Sequence, residues 1–251
     1  MTRHRKKKRI PRYQNPLRGG EDFNNNYVDI CVEAKTKGQQ TYIDAINTNK
    51  IVFCTGPAGS GKSHISTTIG LSGLMNNEYE RLIITRPLIP AGGEDMGALP
   101  GSALSKIHPY LIPIYEEMEK HLPANTIKSM LNNSMGKRIE VVPLAFMRGR
   151  NFHNCFVVAD EMENASEEQI LMLLTRTGIN TKVVLNGDFA QTDLYKQRNV
   201  SINRLRYLDK NVFDFGLVEL TEADIVREKI VADIVQNWNL YDKEKENRSF
   251  K

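Results

Sequence analysis

The chain has 251 residues, room for one domain or one domain with small appendages, and its 40% apolar and 25% charged composition is that of an ordinary globular protein. These figures exclude tandem multidomain machinery and a chain disordered as a whole. The net charge of +4 is lopsided: Arg3, Arg5, Lys6, Lys7, Lys8, Arg9 and Arg12 precede the first acid, Glu21, and without them 27 basic residues face 30 acids. The charge argument for a nucleic-acid partner therefore rests on the first dozen residues.

In chain order, residues 1–26 read as a flexible basic arm ending in GGEDFNNN, residues 27–241 as a single domain, and 242–251 (DKEKENRSFK) as a charged tail. Inside the domain, helical patterns alternate with the apolar runs IVFCTG, LIITRP, IEVVPLA, CFVVADE, VVLNGD and the weaker GLVEL. Runs too apolar to show a period of two, separated by helices, predict an α/β fold: a mostly parallel sheet with helices on both faces. Cys54 and Cys155 sit in such runs, so with three cysteines in all a disulfide framework is not expected, which suggests a reducing compartment. No run approaches the roughly 18 apolar residues of a membrane span, and the cytoplasm is the expected location.

Residues 56–63, GPAGSGKS, fit G-x-x-x-x-G-K-[ST] in full. Gly56, Pro57, Ala58, Gly59, Ser60 and Gly61 form a turn whose backbone N–H groups can crowd around phosphate oxygens. Lys62 adds a charge for the β- and γ-phosphates, and Ser63 a hydroxyl for Mg²⁺. The strand IVFCT precedes the loop and a helix-compatible stretch follows, which is the context this chemistry needs. His64 is assigned no role.

FVVADE ends in Asp160 and Glu161. Asp160, at the tip of a strand expected beside the P-loop strand, is a candidate Mg²⁺ ligand, and Glu161 a candidate to orient or deprotonate a water. A second acid beside the metal aspartate favours attack by water over transfer to a small-molecule acceptor. In VVLNGDFAQ, Asp188 and Gln191 follow another buried strand, and Gln191 is a candidate sensor of the γ-phosphate or the attacking water. Between these elements, residues 86–101 hold seven Gly or Pro in sixteen positions directly after the strand ending at Thr85. That stretch reads either as a working loop at a ligand-binding strand end or as a plain connection.

Taken together, QQTYIDAI, GPAGSGKS, TRP with AGGEDMGALPG, KIHPYLIPIY, IEVVPLAFMRGR, FVVADEMENASEEQ, TRTG and NGDFAQTDL resemble the PhoH family of P-loop ATPases over about residues 36–238. The resemblance implies a RecA-like, superfamily 1 helicase-like motor core, with ATP and Mg²⁺ as cofactors and hydrolysis coupled to single-stranded RNA or DNA. It also implies adenine reading by Gln39, with Tyr42 three residues on, and a path toward the nucleic-acid surface through Thr85, Arg86 and Pro87. Larger members carry a fused PIN-type nuclease, for which the roughly 35 residues before Thr36 offer no room. The compact form resembles versions carried by bacteriophages, and the host cytoplasm is then the location.

Motors of this kind need an arginine from outside the P-loop domain. With one motor domain, the expected source is a neighbouring subunit in a closed ring, which the resemblance suggests is a hexamer. Candidate fingers are Arg148, Arg150, Arg176 and Arg227. The aromatic content is 8%, no stacking platform stands out, and the basic arm is the expected phosphate contact. Two other functions fit the sequence: an ATPase that remodels a protein partner, and a nucleotide-binding regulator with negligible turnover.

Overall fold

The computed structural model describes residues 30–87, 112–132, 137–188 and 202–226, together with residue 237. The expected arm and tail, Gln191, Arg227 and all but the first two residues of the 86–101 stretch lie outside the described residues. The elements run α1 (Lys37–Thr48), β1 (Ile51–Thr55), α2 (Lys62–Met75), β2 (Arg81–Thr85), α3 (helical residues 112–119), α4 (Ala124–Asn132), β3 (Ile139–Val141), β4 (Cys155–Ala159), α5 (Glu167–Leu174), β5 (Lys182–Gly187), α6 (Ile202–Asn211) and β6 (Phe215–Glu219). Short 3₁₀ turns at Leu144–Met147, Met162–Asn164 and Glu222–Asp224 close three of the connections.

All six apolar runs form strands, and every pairing is parallel, in the order β3-β2-β4-β5-β1-β6. This is the α/β architecture, a parallel sheet with helices on both faces, that the alternation predicts. Alternate side chains enter two separate cores. Val52, Cys54, Leu82, Ile84, Phe156, Val158 and Val184 face α1 to α4, whereas Phe53, Ile83, Cys155, Val157, Val183 and Leu185 face α5 and α6. Burial on both faces is the reason the strands lack a period of two.

One expectation about the sheet is corrected. The strand carrying Asp160, β4, is not the neighbour of the P-loop strand; β5 lies between them, with Phe53 paired to Leu185 and Leu185 in turn to Ala159. Nothing within a uniformly apolar run names its lateral partner, so the order is set by the crossover connections. The consequence is that β1, β2, β4 and β5 all deliver their carboxyl ends to one edge, where ligands bind in open parallel sheets.

Behind that edge a buried polar chain ties three elements together. Tyr42 on α1 donates to Asn186 Oδ1 on β5 at 2.6 Å, and Asn186 Nδ2 donates to Ser66 Oγ on α2 at 2.9 Å. All three side chains are fully enclosed. The 3₁₀ turn after β6 adds Asp224, which accepts from Thr36 Oγ1 at 2.6 Å and Gly38 N at 3.2 Å, pinning the start of α1. Tyr42→Phe leaves the Asn186 oxygen without its donor inside the core, so equilibrium denaturation should show a loss of about 1–3 kcal/mol.

Candidate nucleotide and metal site

The P-loop spans the gap between β1 and α2. Gly59 and Gly61 have φ of +85° and +89°, in the left-handed region, and a Cβ on Gly61 would lie 3.0 Å from Gln39 Nε2. A side chain there is opposed by both backbone and space. Helix α2 begins at Lys62 with Gly61 as its N-cap and no side-chain cap bond, so its first amides face the loop. The Lys62 ammonium is held across the loop by the carbonyls of Gly56 at 2.6 Å and Pro57 at 3.0 Å. Ser60 is fully buried, its Oγ donating to Pro57 O at 2.8 Å.

Gln39 is buried and is not a solvated helix-start residue. Its Nε2 donates to Ser60 O at 3.0 Å, and its Oε1 accepts from Lys35 N at 2.8 Å. The glutamine thus braces the P-loop from behind.

Although β5 separates the two strands, Ser63 and Asp160 meet: Ser63 Oγ donates to Asp160 Oδ1 at 2.7 Å. A hydroxyl beside an ionisable carboxyl, both hard oxygens at a helix N-terminus, is a donor set suited to Mg²⁺. Asp160 is buried, fixed through its own N–H to Thr85 O at 2.9 Å. Glu161, the next residue, is exposed and takes φ +57°, ψ +38°, a left-handed conformation uncommon outside glycine.

Arg86 is the site residue that sequence reasoning missed in this role. Its NH2 lies 2.6 Å from Asp160 Oδ2 and its NH1 3.2 Å from Glu161 Oε1. The TRP segment therefore does not present itself as surface: Thr85 and Pro87 are buried, and Arg86 turns inward onto both acids. The available signal was positional, since β2 pairs directly with β4 and brings Thr85 opposite Ala159.

Glu163 was also missed. It sits in the 3₁₀ turn after β4, buried against Gly187, where a Cβ would lie 3.3 Å from the Glu163 nitrogen. Burial pushes its carboxyl up to about 7; backbone hydrogen bonds oppose the rise, and the Glu161 and Asp160 charges add to it. Asp188, at the end of β5, is buried at the same edge.

Of the candidate arginine fingers within the described residues, Arg150 and Arg176 make their contacts elsewhere. Arg148 is exposed. Arg150 pairs with Glu140 at 2.7 Å and lies over the Phe152 ring at 5.9 Å. Arg176 follows α5, its carbonyl accepting from Phe152 N at 3.0 Å ahead of the amino end of β4, the opposite edge of the sheet. His64, Glu117 and His121 bring three potential ligand atoms within 4.8 Å of one another. Each already has a protein partner: His64 Nδ1 is 2.6 Å from Glu117 Oε1, Lys120 is 2.7 Å from Glu117 Oε2, and His121 Nε2 is 2.9 Å from Thr68 Oγ1. The group reads as an ion-pair bridge between α2 and α3.

The family model described as "PhoH-like protein" matches residues 31–239. The chain belongs to the PhoH family. It is 38% identical to the PhoH-like protein of Synechocystis sp. over 207 residues, 82% of this chain and 62% of that protein. It is 34% identical to the PhoH-like protein of Bacillus subtilis (87% and 67%) and 37% identical to protein PhoH of Escherichia coli (77% and 54%). The chain thus spans about three fifths of the length of several curated relatives it matches. Among solved structures, the large terminase of a thermophilic bacteriophage aligns with TM-score 0.44 and 13% identity, covering 80% of this chain and 49% of that one. A Bacteroides Pif1 bound to single-stranded DNA aligns with TM-score 0.30 and 16% identity, covering 80% and 45%. Among the described residues no helix is long and apolar enough to cross a membrane.

The raised Glu163 carboxyl has a sign that can be checked. The folded state holds its proton more tightly than the unfolded chain, so its contribution is intact at pH 4 and is lost as pH rises toward and through 7. Glu163→Gln should therefore be more stable than the parent at pH 8, by about 2–3 kcal/mol, with the difference vanishing near pH 4 in denaturation experiments.

Proposed function

We propose that this PhoH-family chain is a Mg²⁺-dependent ATPase whose turnover is coupled to single-stranded nucleic acid, RNA foremost, and that it works as a closed ring, a hexamer. The observation that carries the enzymatic part is the 2.7 Å contact between Ser63 and Asp160 at the mouth of the P-loop, with Glu161 next in the chain. When bound, Mg²⁺ supplies charge neutralisation at the β- and γ-phosphates. Ser63 and Asp160 hold it, the loop amides and Lys62 bind the phosphates, and Glu161 orients the attacking water and takes its proton. Adenine recognition by Gln39 belongs to this reading and entails its amide exchanging the bonds to Ser60 and Lys35. Gln191, beyond β5, is assigned to the γ-phosphate.

Nucleic-acid coupling is supported by the turn Leu144–Met147 as well as by the basic arm. Phe146 on that turn is 56% exposed and Arg148, just beyond it, is exposed as well, so an aromatic ring and a guanidinium, the two group types on which unpaired bases stack, are both open to solvent there. The ring reading is supported by the engagement of Arg150 with Glu140 and of the Arg176 main chain at the amino end of β4, which fits an arginine finger supplied by a neighbouring copy.

Phosphate release from ATP should be abolished by Lys62→Ala, reduced by about 10²- to 10⁴-fold by Glu161→Gln, and raised by single-stranded RNA in the parent protein. Turnover indifferent to RNA would move the assignment to a protein partner. Absence of any Lys62-dependent turnover would leave a nucleotide-binding regulator. Sedimentation with and without ATP should show a ring, and a strict monomer with full turnover would rule out an arginine supplied in trans.

A further inference from the structure

We propose that Arg86 is a latch on the two acids of the nucleotide site, a positioning residue that keeps Asp160 and Glu161 out of their working arrangement until nucleic acid is bound. The inference rests on the ATPase reading above. The Asp160 carboxylate is fully engaged: Oδ1 accepts from Ser63 at 2.7 Å and Oδ2 from Arg86 at 2.6 Å. The same guanidinium reaches Glu161 at 3.2 Å, bridging the carboxylates of two consecutive residues. Its side chain is only 13% exposed, and that of Asp160 is 7% exposed, so the pair is poorly screened by water.

Two consequences follow. A guanidinium does not lose its proton, so it competes with Mg²⁺ for Asp160 until it moves. Glu161, exposed and held in a left-handed backbone conformation, is aimed at Arg86 instead of at a water beside the γ-phosphate. The grip is tied to the rest of the edge through the main chain. Arg86 O accepts from Leu144 N at 2.8 Å, the first residue of the turn that carries Phe146, and Thr85 O accepts from Asp160 N at 2.9 Å. A strand stacking on that turn therefore pulls on the residue holding the acids.

Three variants of the full-length chain test this by ATP turnover across a Mg²⁺ titration, with and without single-stranded RNA. Arg86→Gln removes the charge from both acids. It should raise RNA-free turnover by about fivefold or more, lower the Mg²⁺ concentration for half-maximal rate, and flatten the stimulation by RNA. Arg86→Lys keeps the charge but does not bridge as a planar fork. It should raise RNA-free turnover while leaving the Mg²⁺ dependence near that of the parent. Glu161→Gln sets the floor. If both Arg86 variants bind ATP but fall to that floor, Arg86 assists the chemistry and the latch is wrong. If RNA stimulates Arg86→Gln by the same factor as the parent, the coupling is wrong. A parent without Lys62-dependent turnover overturns the ATPase reading itself, a result separate from either. If Arg86→Gln fails to fold, Arg86→Lys alone decides, because a purely structural role predicts unchanged RNA-free turnover for it.

Discussion

The Ser63–Asp160 contact depends on an unbroken parallel register across three strands. Thr55 stands opposite Gly187, Leu185 opposite Ala159, and Ala159 opposite Thr85, so β4 and β2 end two residues short of β1 and β5, and Asp160 follows at that step of the edge. Because strands are about 4.8 Å apart, a helix starting after β1 and an acid ending β4 are roughly 10 Å apart across the sheet. The chain after β1 bridges that interval and brings Ser63 to Asp160 across β5, whose last residue, Gly187, leaves room for the Glu163 turn that packs on it. A one-residue slip of β4 would invert its core alternation and withdraw Asp160 together.

Much of this was legible in the sequence, for reasons that also mark the limit. The runs IVFCT, LIIT and CFVVA read as strands because burial on both faces leaves little room for polar residues, and IEV and VVLNG because a single polar residue, Glu140 or Asn186, does not break an apolar run. GPAGSGKS read as a phosphate loop because its requirements are local: positive φ at two glycines, then a helix start. The strand order was not legible, since it is decided by crossovers between runs that look alike. Arg86 escaped because its partner is 74 residues away, and in sequence it looks like any arginine leading into a Pro- and Gly-rich stretch. Glu163 carried no signal in the sequence, and Gln39 was marked only through the family resemblance, as a reader of adenine and not as a buried brace of the P-loop. They are buried because the 3₁₀ turn after β4 tucks onto β5, and because α1 lays its first turn against the P-loop.

The carboxyl edge of the sheet gathers Asp160, Glu161, Glu163 and Asp188 within a few residues of buried strands, and like charges so placed cannot all remain ionised without compensation. The structure uses different solutions for different members. Glu163, buried in the turn after β4, is pushed up to about 7, so its charge is given up readily on the acid side of neutrality. Asp160 and Glu161 share Arg86. Lys62, the other cation at the site, is committed to the carbonyls of Gly56 and Pro57 and does not answer for the acids. Among the described residues Arg86 is thus the compensating charge that Mg²⁺ would replace. On the proposed Mg²⁺ reading, an edge that takes a divalent cation needs a stand-in charge without it, and Arg86, directly after the adjacent strand, is placed to supply it. On the same proposal that proximity makes the stand-in a competitor, so stability in one state and restraint of the chemistry in the other arise from one guanidinium and its two acids.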